Sequence, residues 1–162
     1  MTVGFESAIG SHVGMVRSNN QDSAFAGTYL YLVADGMGGH AGGDVASALA
    51  TKTLAPLDLE PTDTARVTAD DLRKAVLGAN RKLRETVGDR PELAGMGTTF
   101  TGFLTVGDHL ALAHIGDSRL YLLSDGELTQ ITEDHSLVAT LERQGRITRA
   151  EAAVHPQRNI LT

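Results

Sequence analysis

The sequence predicts one α+β domain in which helices pack against antiparallel strands. Two observations predict the strands. An apolar run at residues 29–34 follows a short segment and a Gly27-Thr28 turn, and residues 98–131 contain segments of alternating side-chain polarity that are separated by short turns. A third predicts the helices, because apolar residues recur every three or four positions from residue 72 to residue 87. A chain of 162 residues without repeats fits one domain with a single core.

The first predicted element is a hairpin of residues 22–26 and 29–34. Its antiparallel strands bring Asp22 and Asp35 to the same end of the hairpin. Because the second strand is apolar throughout, it is typical of a strand buried on both faces, which would place Asp35 at the edge of the core. The polar segment before the hairpin adds Arg17 to these two carboxylates.

A glycine-rich turn follows Asp35, with five glycines among the eight residues 36–43. A charged carboxylate at the edge of a core is tolerated when it is paired or binds a metal, and glycines let backbone atoms approach a ligand closely. The turn therefore indicates a hard-cation site or a phosphate site. It fits neither standard phosphate loop, because no Gly-Lys-Ser/Thr ending follows and the dinucleotide fingerprint requires its acid after a second strand. The alternative is a plain connection in which Asp35 caps a helix beginning near Gly43.

Two longer helices are predicted after this turn. Residues 44–54 carry apolar side chains among small ones, end before Pro56 and should lie against a sheet. After a loop at 57–67, Thr68 and Asp71 indicate a capping box, with Asp in place of the usual Glu. The second helix ends near Gly88, and its apolar stripe indicates core packing: Leu72, Val76, Ala79, Leu83 and Val87.

The following strands are predicted to form an antiparallel meander of residues 98–106, 109–115, 119–123 and 127–131. Its one interruption places Asp117 next to Gly116 between two strands. Asp117 is therefore a second candidate site residue, and a plain turn residue is the alternative. Two short helices follow, one at 137–144 closed by Gly145, and one that begins at a Thr148 capping box and ends at His155-Pro156.

Composition and charge limit the function. A net charge of −6 argues against a nucleic-acid or anionic-membrane binder, since both require clustered Lys and Arg. Without cysteine, a metal must be held by oxygen or imidazole, which favours Mg²⁺ or Mn²⁺. The N-terminus, with a short extended candidate at residues 5–9, has no signal-peptide pattern, and no apolar run could span a membrane. We therefore expect a cytoplasmic protein.

Six motifs occur in order along the chain: VRSNNQD at 16–22, VADGMGGH at 33–40, GTT at 97–99, HIGDSR at 114–119, EDHS at 133–136 and HPQRN at 155–159. Together they resemble the metal-dependent protein phosphatase (PPM) family, and most of all the bacterial type 2C serine/threonine phosphatases. The resemblance spans the chain from about residue 5 to its end. It implies an α-β-β-α sandwich of two antiparallel sheets flanked by helices.

The resemblance also implies a binuclear Mg²⁺ or Mn²⁺ centre at one end of the sandwich. Asp35 matches the ligand that bridges the two ions, and Gly36 matches the residue whose carbonyl binds the second ion. Asp117 matches a ligand of a weaker third ion, and residues 133–159 match a mobile flap beside the site. Two cations about 3.5–4 Å apart can acidify a shared water and neutralise phosphoryl oxygens.

The catalytic residues are implied in the same way. Asp22 matches an acid that orients metal-bound water, Arg17 matches the guanidinium that holds the substrate phosphate, and His40 matches a proposed proton donor. The implied reaction is the hydrolysis of phosphoserine and phosphothreonine in proteins without a covalent enzyme intermediate. Phosphorylated proteins and serine/threonine kinases are the implied partners.

One departure from the family pattern affects these expectations. Family members continue beyond the position of Thr162 with a Ser-Asp-Gly motif and an Asp-Asn motif whose aspartates bind the first ion. The Ser-Asp-Gly sequence at 124–126 lies in a predicted hairpin turn, so Asp125 is not expected to be that ligand. We therefore expect residues 1–162 to form a single domain that is the N-terminal two-thirds of a phosphatase domain, with weak metal affinity and little activity.

Three functions compete on the sequence. The first is a metal-dependent phosphatase, and the second is a catalytically inactive fragment that binds a partner chain, or a second copy of itself, through exposed sheet edges. The missing aspartates separate these two. The third, a nucleotide-binding glycine loop, is disfavoured because no Lys follows the glycines.

Overall fold

The computed structural model describes residues 5–38, 42–58 and 67–162. Helices and antiparallel strands are mixed along the chain, which confirms the predicted α+β class. The strands are β1 Asp22–Ala26, β2 Leu30–Met37, β3 Gly97–Thr98, β4 Phe100–Val106, β5 His109–Ile115, β6 Tyr121–Ser124 and β7 Glu127–Gln130. The α-helices are α1 Gly42–Leu54, α2 Ala69–Asp89, α3 Leu137–Arg143 and α4 Arg149–Val154.

The main sheet is antiparallel, with strand order β1-β2-β4-β5 and with β3 paired to the end of β2. The predicted hairpin is confirmed, because β1 pairs with β2 in a register that sets Asp22 directly opposite Asp35. Strand β2 continues two residues past Asp35, where Gly36 and Met37 pair with β3. Asp35 therefore lies within the sheet and not at the end of a strand.

Only one face of β2 is covered by helices in the described part of the chain. Leu30, Leu32 and Ala34 are buried on that face, whereas Val33 on the other face is 45% exposed. The prediction that β2 is buried on both faces is therefore wrong, because alternate side chains of a strand point to opposite sides and the helices lie on one side. Asp35 belongs to the exposed face.

The connection between β1 and β2 is held by a carboxylate from a distant part of the chain. Asp58 accepts hydrogen bonds from three consecutive backbone amides, those of Thr28, Tyr29 and Leu30, at 3.0, 2.7 and 2.9 Å. Gly27 lies against the same group, and a Cβ at this position would come within 2.1 Å of a carboxylate oxygen of Asp58. The hairpin therefore depends on a contact outside its own sequence.

Helix α1 packs on β1 and β2, as predicted, through a face of small residues. It begins at Gly42, two residues before the predicted start. Gly36 in β2 contacts the backbone of Gly43 so closely that a Cβ on Gly36 would lie 1.9 Å from the Gly43 carbonyl oxygen. Ser47, also buried, donates a 2.6 Å hydrogen bond to the Gln21 carbonyl oxygen. These contacts fix α1 beneath the end of the hairpin that carries Asp22 and Asp35.

Helix α2 packs on α1 and begins with the predicted capping box, in which Thr68 and Asp71 exchange hydrogen bonds between side chain and backbone. Its predicted stripe faces the core, where Leu72 and Ala79 are buried. The core combines residues of the main sheet and both helices: Leu30, Leu32, Ala50, Leu54, Leu72, Ala79, Phe100 and Leu104.

Gly78 in the middle of α2 offers a test of this helix. No atom lies within 4 Å of a Cβ built at this position, so Gly78→Ala is expected to stabilise the protein by about 0.5–1 kcal/mol, because alanine loses less backbone entropy in a helix. Urea denaturation of the variant would measure this gain. A loss of stability would contradict the open surroundings of Gly78.

The predicted meander is interrupted after β5. Strands β6 and β7 form a separate two-stranded sheet, and in the described residues no pairing joins them to the main sheet. The interruption lies at Gly116, whose backbone adopts a positive φ of 105° and exchanges hydrogen bonds with His135 instead of a neighbouring strand. The continuous meander is therefore a wrong prediction, whereas two antiparallel sheets are confirmed.

The prediction is wrong for the segment at residues 5–9 and correct for the two short helices near the other end of the chain. Residues 5–9 form no strand, so the extended candidate is wrong; Phe5 instead packs against Tyr31 and Phe103 on the open face of the main sheet. The short helices α3 and α4 are confirmed, including the left-handed Gly145 and the capping box of Thr148. No helix in the described ranges is long and apolar enough to cross a membrane.

Candidate metal and phosphate site

The candidate site lies at the end of the hairpin where Asp22 and Asp35 face each other. Directly opposed residues of an antiparallel pair have Cβ atoms about 4.5–5.5 Å apart, so the two carboxylates are neighbours on the exposed face of the sheet. Like charges in this position repel each other. The sequence prediction that these two carboxylates meet is confirmed.

The charges around Asp35 change its acidity. Partial burial raises the pKa of the Asp35 carboxyl from its ordinary value of 3.8, and the neighbouring Asp22 carboxylate raises this pKa further, as does the charge of Asp117. The Arg17 guanidinium lowers the pKa of Asp35 and so partly offsets these effects. The structure thus brings Arg17, Asp22 and Asp117 within electrostatic reach of Asp35.

Asp117 lies in the connection between β5 and β6, immediately after the left-handed Gly116. A Cβ on Gly116 would lie 2.6 Å from a methyl carbon of Thr99, so only glycine allows this loop to pack against the β3–β4 junction. Asp117 is exposed, and its charge acts on Asp35 by raising the pKa of that carboxyl. The structure therefore places the second candidate site beside the first.

The start of the flap segment, residues 133–159, is tied to this loop. Arg119 forms a bidentate ion pair with Asp134, with nitrogen–oxygen distances of 2.9 and 2.7 Å. These hydrogen bonds, with a further one to Tyr121, raise the pKa of Arg119 above its ordinary value. His114 donates from Nε2 to the Glu133 carbonyl oxygen at 3.0 Å. The contacts with Asp134 and Glu133 were not predicted from the sequence, because they join residues fifteen and nineteen positions apart.

A polar cavity of about 350 Å³ opens between the Asp117 loop and the flap. Asp117 and Arg119 line one side, and residues of α3, α4 and the segment after them line the other, including Glu142, Arg149 and Arg158. The predicted flap thus lies beside the candidate site. His40, the predicted proton donor, lies outside the described residues.

The donor set fits a hard divalent cation in its chemistry. Asp22, Asp35 and Asp117 supply carboxylate oxygens. Burial and then the charges of Asp22 and Asp117 raise the pKa of Asp35, and a cation would relieve the repulsion between these carboxylates. Within residues 5–38, 42–58 and 67–162, however, no three or more His, Asp or Glu side chains form a group close enough to hold an ion. The described residues therefore provide part of a coordination shell.

The sequence prediction missed the contribution of Thr99. The Thr99 hydroxyl accepts a 2.9 Å hydrogen bond from the backbone amide of Asp35 and lies 2.7 Å from the Ser118 hydroxyl. The available signal was the pair of threonines in the GTT motif, which stands where strand alternation starts. A side-chain hydroxyl that takes the place of a backbone carbonyl as the hydrogen-bond acceptor between strands cannot be recognised from that pattern alone.

A sequence profile of the family described as protein phosphatase 2C matches residues 10–161. Among curated proteins, the chain is 51% identical over 151 residues to the serine/threonine protein phosphatase PstP of Mycobacterium tuberculosis, covering 91% of this chain and 28% of PstP. It is 39% identical over 159 residues to the serine/threonine phosphatase stp of Listeria welshimeri, covering 91% of this chain and 62% of stp.

Solved structures agree with these similarities. The crystal structure of the catalytic domain of PstP in complex with two manganese ions superimposes with a TM-score of 0.80 at 51% identity. The match covers 86% of this chain and 60% of that chain. The chain thus spans less than a third of PstP and about three-fifths of stp and of the crystallised PstP domain.

Proposed function

The chain belongs to the protein phosphatase 2C family, and on this premise we propose that it hydrolyses phosphoserine and phosphothreonine monoesters in proteins with the help of two Mg²⁺ or Mn²⁺ ions. The observation that carries the proposal is the direct opposition of Asp22 and Asp35 in β1 and β2, with Asp117 in electrostatic reach. Such a concentration of negative charge is costly unless a cation binds there. The two manganese ions in the PstP catalytic domain support the same choice.

Each residue has a role in this proposal. Asp35 and the carbonyl of Gly36 would hold the two principal ions, and Asp117 would hold a weaker third. When bound, the ions supply the acidification of water and the neutralisation of phosphoryl oxygens. Asp22 orients the attacking water through its carboxylate, and Arg17 binds the substrate phosphate with two parallel hydrogen bonds. His40 is the proposed proton donor to the leaving serine or threonine.

Phosphorylated proteins are the proposed substrates, and the serine/threonine kinases that phosphorylate them are the proposed functional partners. The polar cavity between Asp117 and the flap supports a peptide substrate, because it extends the site along a surface lined by charged side chains. The names of PstP and stp support the serine/threonine class.

The experiment that tests this proposal compares Arg17→Lys with the unchanged sequence, both in a chain extended through the Ser-Asp-Gly and Asp-Asn motifs. Lysine keeps the positive charge but not the planar pair of donors, so hydrolysis of a phosphothreonine peptide is expected to fall about tenfold or more while Mn²⁺ affinity stays nearly constant. A peptide assay and calorimetric Mn²⁺ titration provide the two measurements. Collapse of Mn²⁺ affinity in the variant would assign Arg17 to the metal site or the fold, and an unchanged extended chain that never hydrolyses the peptide would contradict the proposed activity.

A second candidate function is supported by the open apolar face of the main sheet. Val33 on this face is 45% exposed, and Leu122 and Leu128 of the smaller sheet are 54% and 65% exposed. Such surfaces favour association with another chain. The candidate is a catalytically inactive fragment that binds a partner or self-associates. Light scattering and the peptide assay, both on the 162-residue chain, separate the two functions, because an inactive dimer supports the second and an active monomer supports the first.

A further inference from the structure

The ladder between β2 and its neighbours is broken opposite Asp35. Strand β4 pairs with β2 up to Val33, and β3 pairs with it from Gly36 onward, so Thr99 lies between the two paired segments. At this break the Asp35 amide donates to the side-chain hydroxyl of Thr99, at 2.9 Å, instead of to a backbone carbonyl. The Thr99 amide in turn donates to the Asp35 carbonyl oxygen at 2.9 Å.

The same hydroxyl reaches the loop that carries Asp117. Thr99 Oγ1 and Ser118 Oγ are 2.7 Å apart, and Thr99 is only 2% exposed, so its hydroxyl is shielded from bulk water. The methyl group of Thr99 packs against Gly116, where no Cβ could be accommodated. One residue therefore contacts the backbone of Asp35 on one side and both neighbours of Asp117 on the other.

A second threonine reinforces the loop but not Asp35. Thr101 Oγ1 donates a 3.0 Å hydrogen bond to the Ser118 carbonyl oxygen. It makes no hydrogen bond to Asp35 among the described residues. The connection between the two candidate metal ligands therefore passes through the Thr99 hydroxyl.

We propose that Thr99 is a positioning residue whose buried hydroxyl sets the separation between Asp35 and Asp117. It does so by holding the Asp35 amide and the Ser118 side chain at the same oxygen. Its significance for catalysis rests on the proposed function, in which both aspartates hold metal ions. The geometric part, that loss of this hydroxyl releases both backbone segments together, holds independently of any metal.

The experiment compares Thr99→Val, Thr99→Ser and Ser118→Ala in the 162-residue chain. Amide hydrogen exchange by NMR measures the geometric part: Thr99→Val is expected to speed exchange at Asp35 about tenfold or more, because it removes the hydrogen-bond acceptor, and to shift the amide resonances of Asp117 and Ser118. Mn²⁺ affinity, measured by the loss of the free-ion electron paramagnetic resonance signal, is expected to fall in Thr99→Val and to recover to within about twofold in Thr99→Ser.

Thr105→Val is the matched control, because Thr105 is also a buried threonine, in the strand β4 that follows Thr99, and its hydroxyl has no hydrogen-bond partner in the described residues. It should change neither exchange at Asp35 nor Mn²⁺ affinity. Unchanged exchange and resonances in Thr99→Val would overturn the proposal, as would an equal response in Thr105→Val.

If Thr99→Val does not fold, the Thr99→Ser and Ser118→Ala variants test the proposal instead. Resonance shifts confined to Ser118 itself would overturn the proposal. Absence of Mn²⁺ binding in the unchanged chain would contradict the proposed function, and the exchange data would still judge the role of Thr99.

Discussion

Replacing Asp35 by Asn, in a chain extended through the Ser-Asp-Gly and Asp-Asn motifs, is expected to abolish the proposed Mn²⁺-dependent hydrolysis and to lower Mn²⁺ affinity by about 100-fold or more, because one carboxylate is proposed to hold both ions. The same substitution is expected to stabilise the metal-free protein. The pKa of Asp35 is raised by partial burial and by Asp22 and Asp117, so its ionised form opposes folding at neutral pH. Protonated Asp35 favours the folded state. This contribution to stability is fully present below the unfolded-state pKa of 3.8 and is lost as pH rises through the raised pKa of the folded state. The gain from Asn should therefore be present at pH 7 and should disappear in acid.

Thermal unfolding with EDTA and with excess Mn²⁺ measures both effects at once. Without metal, the Asn variant should melt at a higher temperature than the unchanged protein. At a Mn²⁺ concentration 100 times the dissociation constant, the unchanged protein should gain about 2.7 kcal/mol and the variant almost nothing. Asp125→Asn is the control, because Asp125 is an exposed turn residue in a left-handed conformation that Asn also adopts. Full stabilisation of the Asp35→Asn variant by Mn²⁺ would remove Asp35 from the metal site.

Replacing Gly36 by Ala is expected to destabilise the protein by about 3 kcal/mol or more. The added Cβ would meet the Gly43 carbonyl oxygen at 1.9 Å, the Gly43 carbonyl carbon at 2.4 Å and the Gln21 carbonyl oxygen at 2.6 Å. All three are backbone atoms that cannot rotate away, so α1 would have to move off the sheet. Urea denaturation would measure the loss, with Gly78→Ala as the control for the substitution itself. A Gly36→Ala protein of ordinary stability would contradict the close contact between α1 and β2.

The features predicted correctly are those encoded by neighbouring residues. The capping boxes of Thr68 and Thr148 follow from residues three positions apart, and the stripe of α2 follows from its helical period. The meeting of Asp22 and Asp35 could be predicted because a short turn joins the two strands that carry them. Even here the connection has three residues, not the predicted two, because Tyr29 bonds to Asp58 instead of extending β2.

The features predicted wrongly depend on contacts between distant residues. An apolar strand can be buried on one face or on two, and its sequence does not say on which side the helices lie. The separation of β6 and β7 from the main sheet depends on Gly116 bonding to His135, nineteen positions away. Likewise, no sequence pattern shows that the Thr99 hydroxyl, and not a backbone carbonyl, accepts the hydrogen bond from the Asp35 amide. The roles of the site residues come from family resemblance and stay proposals.

The contact between Asp58 and the hairpin loop makes the site sensitive to changes in chain length. Side chains alternate along β1, so a slip of one residue would turn Asp22 toward the helices and set Ala34 or Gly36 opposite it. Because Asp58 holds three successive amides of the loop, an inserted or deleted residue between 27 and 29 cannot be absorbed there without losing these bonds. A frame-preserving insertion or deletion far from the chemistry would thus act as an active-site mutation, whereas point substitutions at exposed Thr28 would leave the alignment of the two carboxylates intact.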